Sequence, residues 1–377
     1  MSTIAAAYLS YTTWSISQTS TAVAGAGTSG DGAASTVSSS VSVSVTTVSI
    51  SHRAKQMLAR ASAERSAVDR LQAQVDAFQS YRRHGRDAGS SAGIDFFKIT
   101  SGSGNDVIRV QASNATIDAG AGNDIIDVDG RANVVAGDGD DTVSTYGYLT
   151  VDGGAGNDHI RTYDHSTATG GDGNDYISTY AYSNVSGGNG NDILTAYDHS
   201  TLDGGAGDDS LRAYDHANLS GGAGNDIIDA YGHAVVDAGT GNDSVHTYSH
   251  AIVSAGDGDD HVRTNDYSVV DGGAGDDIIQ VGGYSTVTGG AGDDHIKVTG
   301  DNSTINFAKG DGNDVVWVDN GSGSVDLSIS GYSLNDVIVT QQFGRTTINF
   351  KGSNDSLAFN GPARLSFADR TSLDISA

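Results

Sequence analysis

The chain has 377 residues, 52 of them glycine, and a hydrophobic share of 37%, which is too little apolar material for one large globular core and favours a repetitive architecture. Of its 47 acidic residues 46 are Asp, and the net charge of -27 makes nucleic acid an excluded partner and cations the expected ones. There is no Cys and a single Pro, so neither disulfides nor a thiolate metal site can hold the fold.

Residues 1–50 are rich in Ser, Thr and Ala and read as a low-complexity arm, although the alternating run from Val41 to Ser51 has the period of a strand. Residues 51–98 change character. Leu58, Ala61, Val68, Leu71, Val75 and Phe78 recur at helical spacing, Ser51 can act as N-cap and Gly85 follows the end, which predicts one basic amphipathic helix and a linker. Its expected role is a cap on an acidic solenoid end. No run of apolar residues is long enough to span a membrane, and the N-terminus lacks the basic start and apolar stretch of a secretory signal.

From residue 99 to 319 the sequence repeats. An Asn-Asp or Asp-Asp pair ends on Asp106, Asp124, Asp141, Asp158, Asp175, Asp192, Asp209, Asp226, Asp243, Asp260, Asp277, Asp294 and Asp314, and the spacing is 17 from Asp124 to Asp294. A glycine turn precedes each pair, with Gly154 and Gly156, Gly171 and Gly173, Gly188 and Gly190, Gly205 and Gly207, Gly222 and Gly224, Gly273 and Gly275, and Gly290 and Gly292 as candidate contributors to a metal site. A fixed period of this length predicts a solenoid. Residues 17 apart then stack, so Ile160, Ile177, Leu194 and their successors form one inward column, and Val151, Ala168, Val185 and theirs a second. Short carboxylates beside glycines that permit positive φ suit Ca²⁺, which takes six to eight hard oxygens.

These turns resemble the GGxGxDxUx nonapeptide of repeats-in-toxin, or hemolysin-type, calcium-binding proteins, over roughly Ile99 to Asp319. The resemblance implies an all-β fold, a right-handed parallel β-roll of 17-residue coils, with Ca²⁺ bound between successive turns by backbone carbonyls and the final Asp. It also implies export by type I secretion through a C-terminal signal, and folding outside the cell once calcium binds. Family coils carry two nonapeptides whereas these carry one, so calcium is expected along one edge only. The turns Ser101 to Asp106 and Lys309 to Asp314 are degenerate and expected to bind weakly or not at all. Residues 320–377 read as a β-rich C-terminal cap with a secretion signal, in which Phe367-Ala368-Asp369-Arg370-Thr371 is similar to a terminal FADGT element with Arg370 in place of Gly.

The other half of each coil offers a Tyr column from Tyr146 to Tyr248 and a mixed column of Tyr148, His165, Tyr182, His199, His216, His233, His250, Tyr267 and Tyr284. Stacked rings that stabilise the coils are the plain reading. A carbohydrate-stacking surface, a self-association face or a transition-metal row at His199 to His250 stand beside it. Asp-His-Ser triplets such as Asp164-His165-Ser166 recur, but neighbours along one strand do not converge as a catalytic triad must. The chain is therefore expected to be a non-enzymatic, extracellular or cell-surface calcium-binding structural or adhesive protein. Two alternatives remain. One is an ice-binding solenoid, suggested by an outward column of Thr145, Thr162, Thr179, Thr247 and Thr264; the other is a polysaccharide-active enzyme or its accessory module.

Overall fold

The computed structural model describes residues 9–21, 38–50, 97–163, 165–319 and 325–376. The helix expected between Ser51 and Arg83 lies outside the described residues. Within residues 1–50, Leu9–Thr21 and Ser38–Ile50 form an antiparallel strand pair, in register from Leu9 opposite Ile50 to Thr21 opposite Ser38. The Val/Ser alternation that the sequence carries there is thus part of a strand.

The chain divides into two compact units, Met1–Asp172 and Gly173–Ala377. In the first, parallel strands stack coil on coil: Ile126 pairs with Val143 and Val143 with Ile160 on one face, and Val134 pairs with Val151 and Val151 with Ala168 on the other. The first full step is 18 residues rather than 17, and the surplus residue is taken up as a register shift between Ala112 and Ala115, away from the glycine turns. In the second unit the same register runs through Ile177, Leu194, Leu211, Ile228, Val245, Val262, Ile279 and Ile296. All these side chains are buried. Each unit is therefore a parallel β-solenoid, with the core formed by inward columns.

More columns face inward than the two aliphatic ones. Thr145 and Thr162 in the first unit, and Thr179, Thr247 and Thr264 in the second, are buried, sharing their column with Ala196, Ala213 and Ala230. The expectation of an outward threonine column is corrected. Strand side chains alternate, so a residue two positions after the buried Ile160 must share its face, and Thr162 does.

The second unit ends in a cap. Asn313–Val318 pairs in parallel with Ser356–Asn360, and Val325–Ile329 with Ala363–Phe367. Antiparallel strands Val337–Gln342, Arg345–Phe350 and Ser372–Ile375 then close on these. Phe307, Phe350, Phe359, Leu365 and Phe367 fill the cap core. In the turn before the last strand Arg370 adopts φ 69°, while Asp369 accepts hydrogen bonds from the Thr371 backbone and hydroxyl at 2.9 and 2.6 Å.

Candidate metal centre

Every coil turns from one sheet face to the next through a Gly-x-Gly segment. At Gly205 and Gly207 φ is +109° and +130°, values that a side chain resists. A β-carbon on Gly205 would also lie 2.1 Å from the carbonyl oxygen of Gly188 in the preceding coil. Glycine is required twice over, by conformation and by the close approach of stacked carbonyls. All fourteen glycines named above adopt positive φ, and so do Gly120, Gly122, Gly137, Gly139, Gly239, Gly241, Gly256 and Gly258, which were not singled out. They have the same spacing from the Asp pair; only the residue before them differs, Ala instead of Gly.

The thirteen predicted Asp ligands are all buried, with relative exposure between 0% and 6%. In the second unit the backbone N–H of Asp192 donates to Oδ1 of Asp209 at 2.7 Å, that of Asp209 to Asp226 at 2.8 Å and that of Asp226 to Asp243 at 2.7 Å, and the ladder continues to Asp294. Asp106, Asp124 and Asp141 donate in the same way in the first unit. The residue before each Asp, an Asn or Asp at the surface of the turn, forms a second ladder of opposite sense: Asn225 N–H donates back to Asp208 Oδ1 and Asn242 N–H back to Asn225 Oδ1, both at 2.8 Å. This gives the pairing of Asn and Asp in the repeat its reason. One side chain of each pair satisfies the backbone of the coil after it, the other the backbone of the coil before it.

The inner carboxylates keep a second oxygen that nothing satisfies. Oδ2 of Asp141, Asp192, Asp209, Asp226, Asp243, Asp260, Asp277 and Asp294 is buried without a hydrogen-bond partner, a cost of several kcal/mol per ion if it stays uncompensated. Burial pushes the Asp192 carboxyl up to about 6 and those of Asp209 and Asp243 up to about 7, with neighbouring carboxylates adding to it for the last two.

Glycines at the first turn position show what the orphan oxygens face. A β-carbon on Gly204 would lie 2.4 Å from Asp209 Oδ2 and 2.5 Å from the carbonyl oxygen of Gly221 in the next coil; at Gly272 the corresponding atoms, Asp277 Oδ2 and Gly289 O, are both 2.3 Å away. Two oxygens thus converge on one point, one from each of two coils. In the first coil Ser101 occupies it, its hydroxyl donating to Asp106 Oδ2 and lying 2.6 Å from the Ala119 carbonyl oxygen. The hydroxyl supplies there the donor that the Oδ2 atoms named above lack. Hard anionic and carbonyl oxygens, no nitrogen, no sulfur and glycine-lined space fit Ca²⁺. Asp Oδ2 and the first carbonyl of the following turn are the groups that would hold it.

The opposite edge is built from rings. Tyr146 and Tyr163 stack at 4.5 Å in the first unit, and Tyr180, Tyr197, Tyr214, Tyr231 and Tyr248 stack at 4.3 to 5.1 Å in the second. Their faces lie against each other, so a sugar ring meets ring edges and hydroxyls here. The Asp-His-Ser triplets do not converge. Ser200 is buried and bonds the Asp198 carbonyl, while His199 is exposed beside the Asp198 carboxylate.

A parallel β-solenoid whose glycine turns carry buried, half-satisfied aspartates has the oxygen donors of a cation-binding repeat. The RTX calcium-binding nonapeptide repeat matches this chain in four copies, over residues 100–135, 150–166, 197–219 and 218–245. These four segments of the chain carry RTX calcium-binding nonapeptide repeats. Among solved structures it is similar to a hyperactive, Ca²⁺-dependent, β-helical antifreeze protein from an Antarctic bacterium, at 21% identity and a TM-score of 0.39, over 63% of this chain and 86% of that one. It is also similar to the extracellular lipase LipA of Serratia marcescens, at 20% identity and a TM-score of 0.24, over 56% and 38%. No curated protein matches it. Among the described residues no helix is long and apolar enough to cross a membrane.

Proposed function

We propose that this is a secreted, non-catalytic calcium-binding structural protein, whose solenoid becomes ordered when Ca²⁺ enters the aspartate turns outside the cell. The observation that carries the reading is the row of buried Oδ2 atoms without donors. A metal that binds the folded turns and not the unfolded chain contributes its binding free energy to folding. Millimolar calcium outside the cell and its scarcity inside then separate an exportable chain from a rigid product. Rigid coils presenting an aromatic edge suit adhesion or matrix assembly. The ice-binding alternative loses its motive, because the threonines that suggested it face the core.

Far-ultraviolet circular dichroism of the full chain during a Ca²⁺ titration tests the reading. β-Structure is expected to appear near millimolar Ca²⁺ and to vanish on chelation. An identical spectrum in both states refutes it.

A further inference from the structure

The row of histidines on the aromatic edge has features that stacking alone does not require. His199, His216, His233 and His250 occupy consecutive coils of the second unit, with ring centroids 4.8, 4.9 and 5.1 Å apart. His199, His216 and His250 have φ of 42°, 41° and 45°, a left-handed turn that Tyr182, Tyr267 and Tyr284 share at the same position of their coils. Tyr182, Tyr267 and Tyr284 show that a phenol ring extends the same stack. What histidine adds is a ring nitrogen with a lone pair.

Two of these rings are backed by carboxylates. His216 Nδ1 lies 2.7 Å from Asp215 Oδ1, and His199 Nδ1 contacts Asp198 in the same way. A carboxylate oxygen and a ring nitrogen this close, on neighbouring residues, can turn toward one cation together. In the next coil the residue stacked over Asp215 is Gly232, where a β-carbon would come within 2.5 Å of Asp215 Oδ1. The missing side chain leaves room beside the carboxylate. Potential ligand atoms of Asp215, His216 and His233 all lie within 4.8 Å of one another. All three residues are exposed, and rotation of the two rings can bring these atoms to bonds of about 2.0–2.2 Å.

We infer that Asp215, His216 and His233 form a binding site for a late first-row transition-metal dication, of the Zn²⁺ and Cu²⁺ class. Imidazole nitrogens select such ions over Ca²⁺, whereas the all-oxygen turns of the other edge select the reverse. The two edges of one coil would thus hold two chemically different metals. The inference is independent of the folding role proposed for calcium.

The test uses the full chain in saturating Ca²⁺, titrated with Zn²⁺ by calorimetry and with Cu²⁺ by electron paramagnetic resonance. Zn²⁺ is expected to bind without releasing Ca²⁺, and bound Cu²⁺ to show nitrogen hyperfine structure. His216→Ala and His233→Ala should each weaken Zn²⁺ binding at least about tenfold. Gly232→Ala keeps every ligand but crowds the Asp215 carboxylate, and should weaken it too, while His295→Ala leaves it unchanged. Circular dichroism in Ca²⁺ checks that each variant is folded; the altered groups are exposed, and the single variants serve if the double variant is not. Displacement of Zn²⁺ by excess Ca²⁺, or wild-type Zn²⁺ affinity in the folded double variant, overturns the inference.

Discussion

The two edges of each coil solve the same problem by opposite means. Stacking identical residues 17 apart places like groups on top of one another, which suits rings and penalises carboxylates. On the aromatic edge the repeat is self-sufficient: Tyr197 and Tyr214 stack at 4.9 Å with planes 5° apart, in contact with solvent. On the turn edge each coil buries a carboxylate, and at Asp141 and from Asp192 to Asp294 only one of its oxygens is satisfied. One edge carries its own stabilisation and the other needs a ligand, so disturbing each should have different consequences.

Chelation is the largest perturbation of that contrast. Removing Ca²⁺ is expected to abolish ordered β-structure in both units, including the aromatic stack, since rings 17 residues apart meet only when the coils are wound. Tyrosine near-ultraviolet dichroism should disappear together with the far-ultraviolet signal; a stack that survives chelation would make the aromatic edge the organising one.

Next in size is the joint substitution Asp209→Ala and Asp226→Ala, which removes two consecutive carboxylates. Bound calcium should fall by at least one ion per chain by equilibrium dialysis. The melting temperature should fall with it, by about 2–4 °C for each kcal/mol lost. An unchanged ion count would show that other oxygens hold the metal.

Acid should act on the turn edge through its buried carboxylates. Burial pushes Asp192 and Asp294 up to about 6, and Asp209, Asp243 and Asp277 up to about 7, above the ordinary Asp value near 3.9. A folded chain that holds these protons more tightly than the unfolded one is stabilised fully below about pH 4 and loses that contribution as pH rises through 6 to 7. Metal-free protein should therefore gain β-structure on acidification from pH 7.5 to 4.5. Calcium-loaded protein should lose ions over the same range, because protons compete for the same oxygens. Dichroism against pH, with chelator and with Ca²⁺, distinguishes the two slopes.

Smaller effects belong to the self-sufficient elements. Tyr214→Ala breaks two stacking contacts and should cost about 0.5–1.5 kcal/mol for each in thermal melts, with calcium stoichiometry unchanged. Arg370→Gly should raise stability by about 1 kcal/mol by relieving the left-handed backbone in the cap turn.

Much of this was legible in the chain itself. The 17-residue interval placed Asp209 against Asp226 and Leu194 against Leu211, and the pairing follows it. Other features were harder to read. The threonine column reads as outward from its residue type, although counting two residues from Ile160 to Thr162 places both inside. The glycines before Asp124, Asp141, Asp243 and Asp260 are less legible because Ala replaces the first glycine of the motif. The part played by Ser101 has no sequence signature, since its hydroxyl finds Asp106 Oδ2 and the Ala119 carbonyl only through the fold.

By itself the amino-acid order determined period, register and the chemistry of the bends, because a translational repeat admits one way of stacking like on like. Which oxygens are left over, and which rings a carboxylate backs, was decided by the wound coils. Those properties arise between residues 17 apart, where one coil's backbone uses up half of its neighbour's side chain and leaves the rest for a cation.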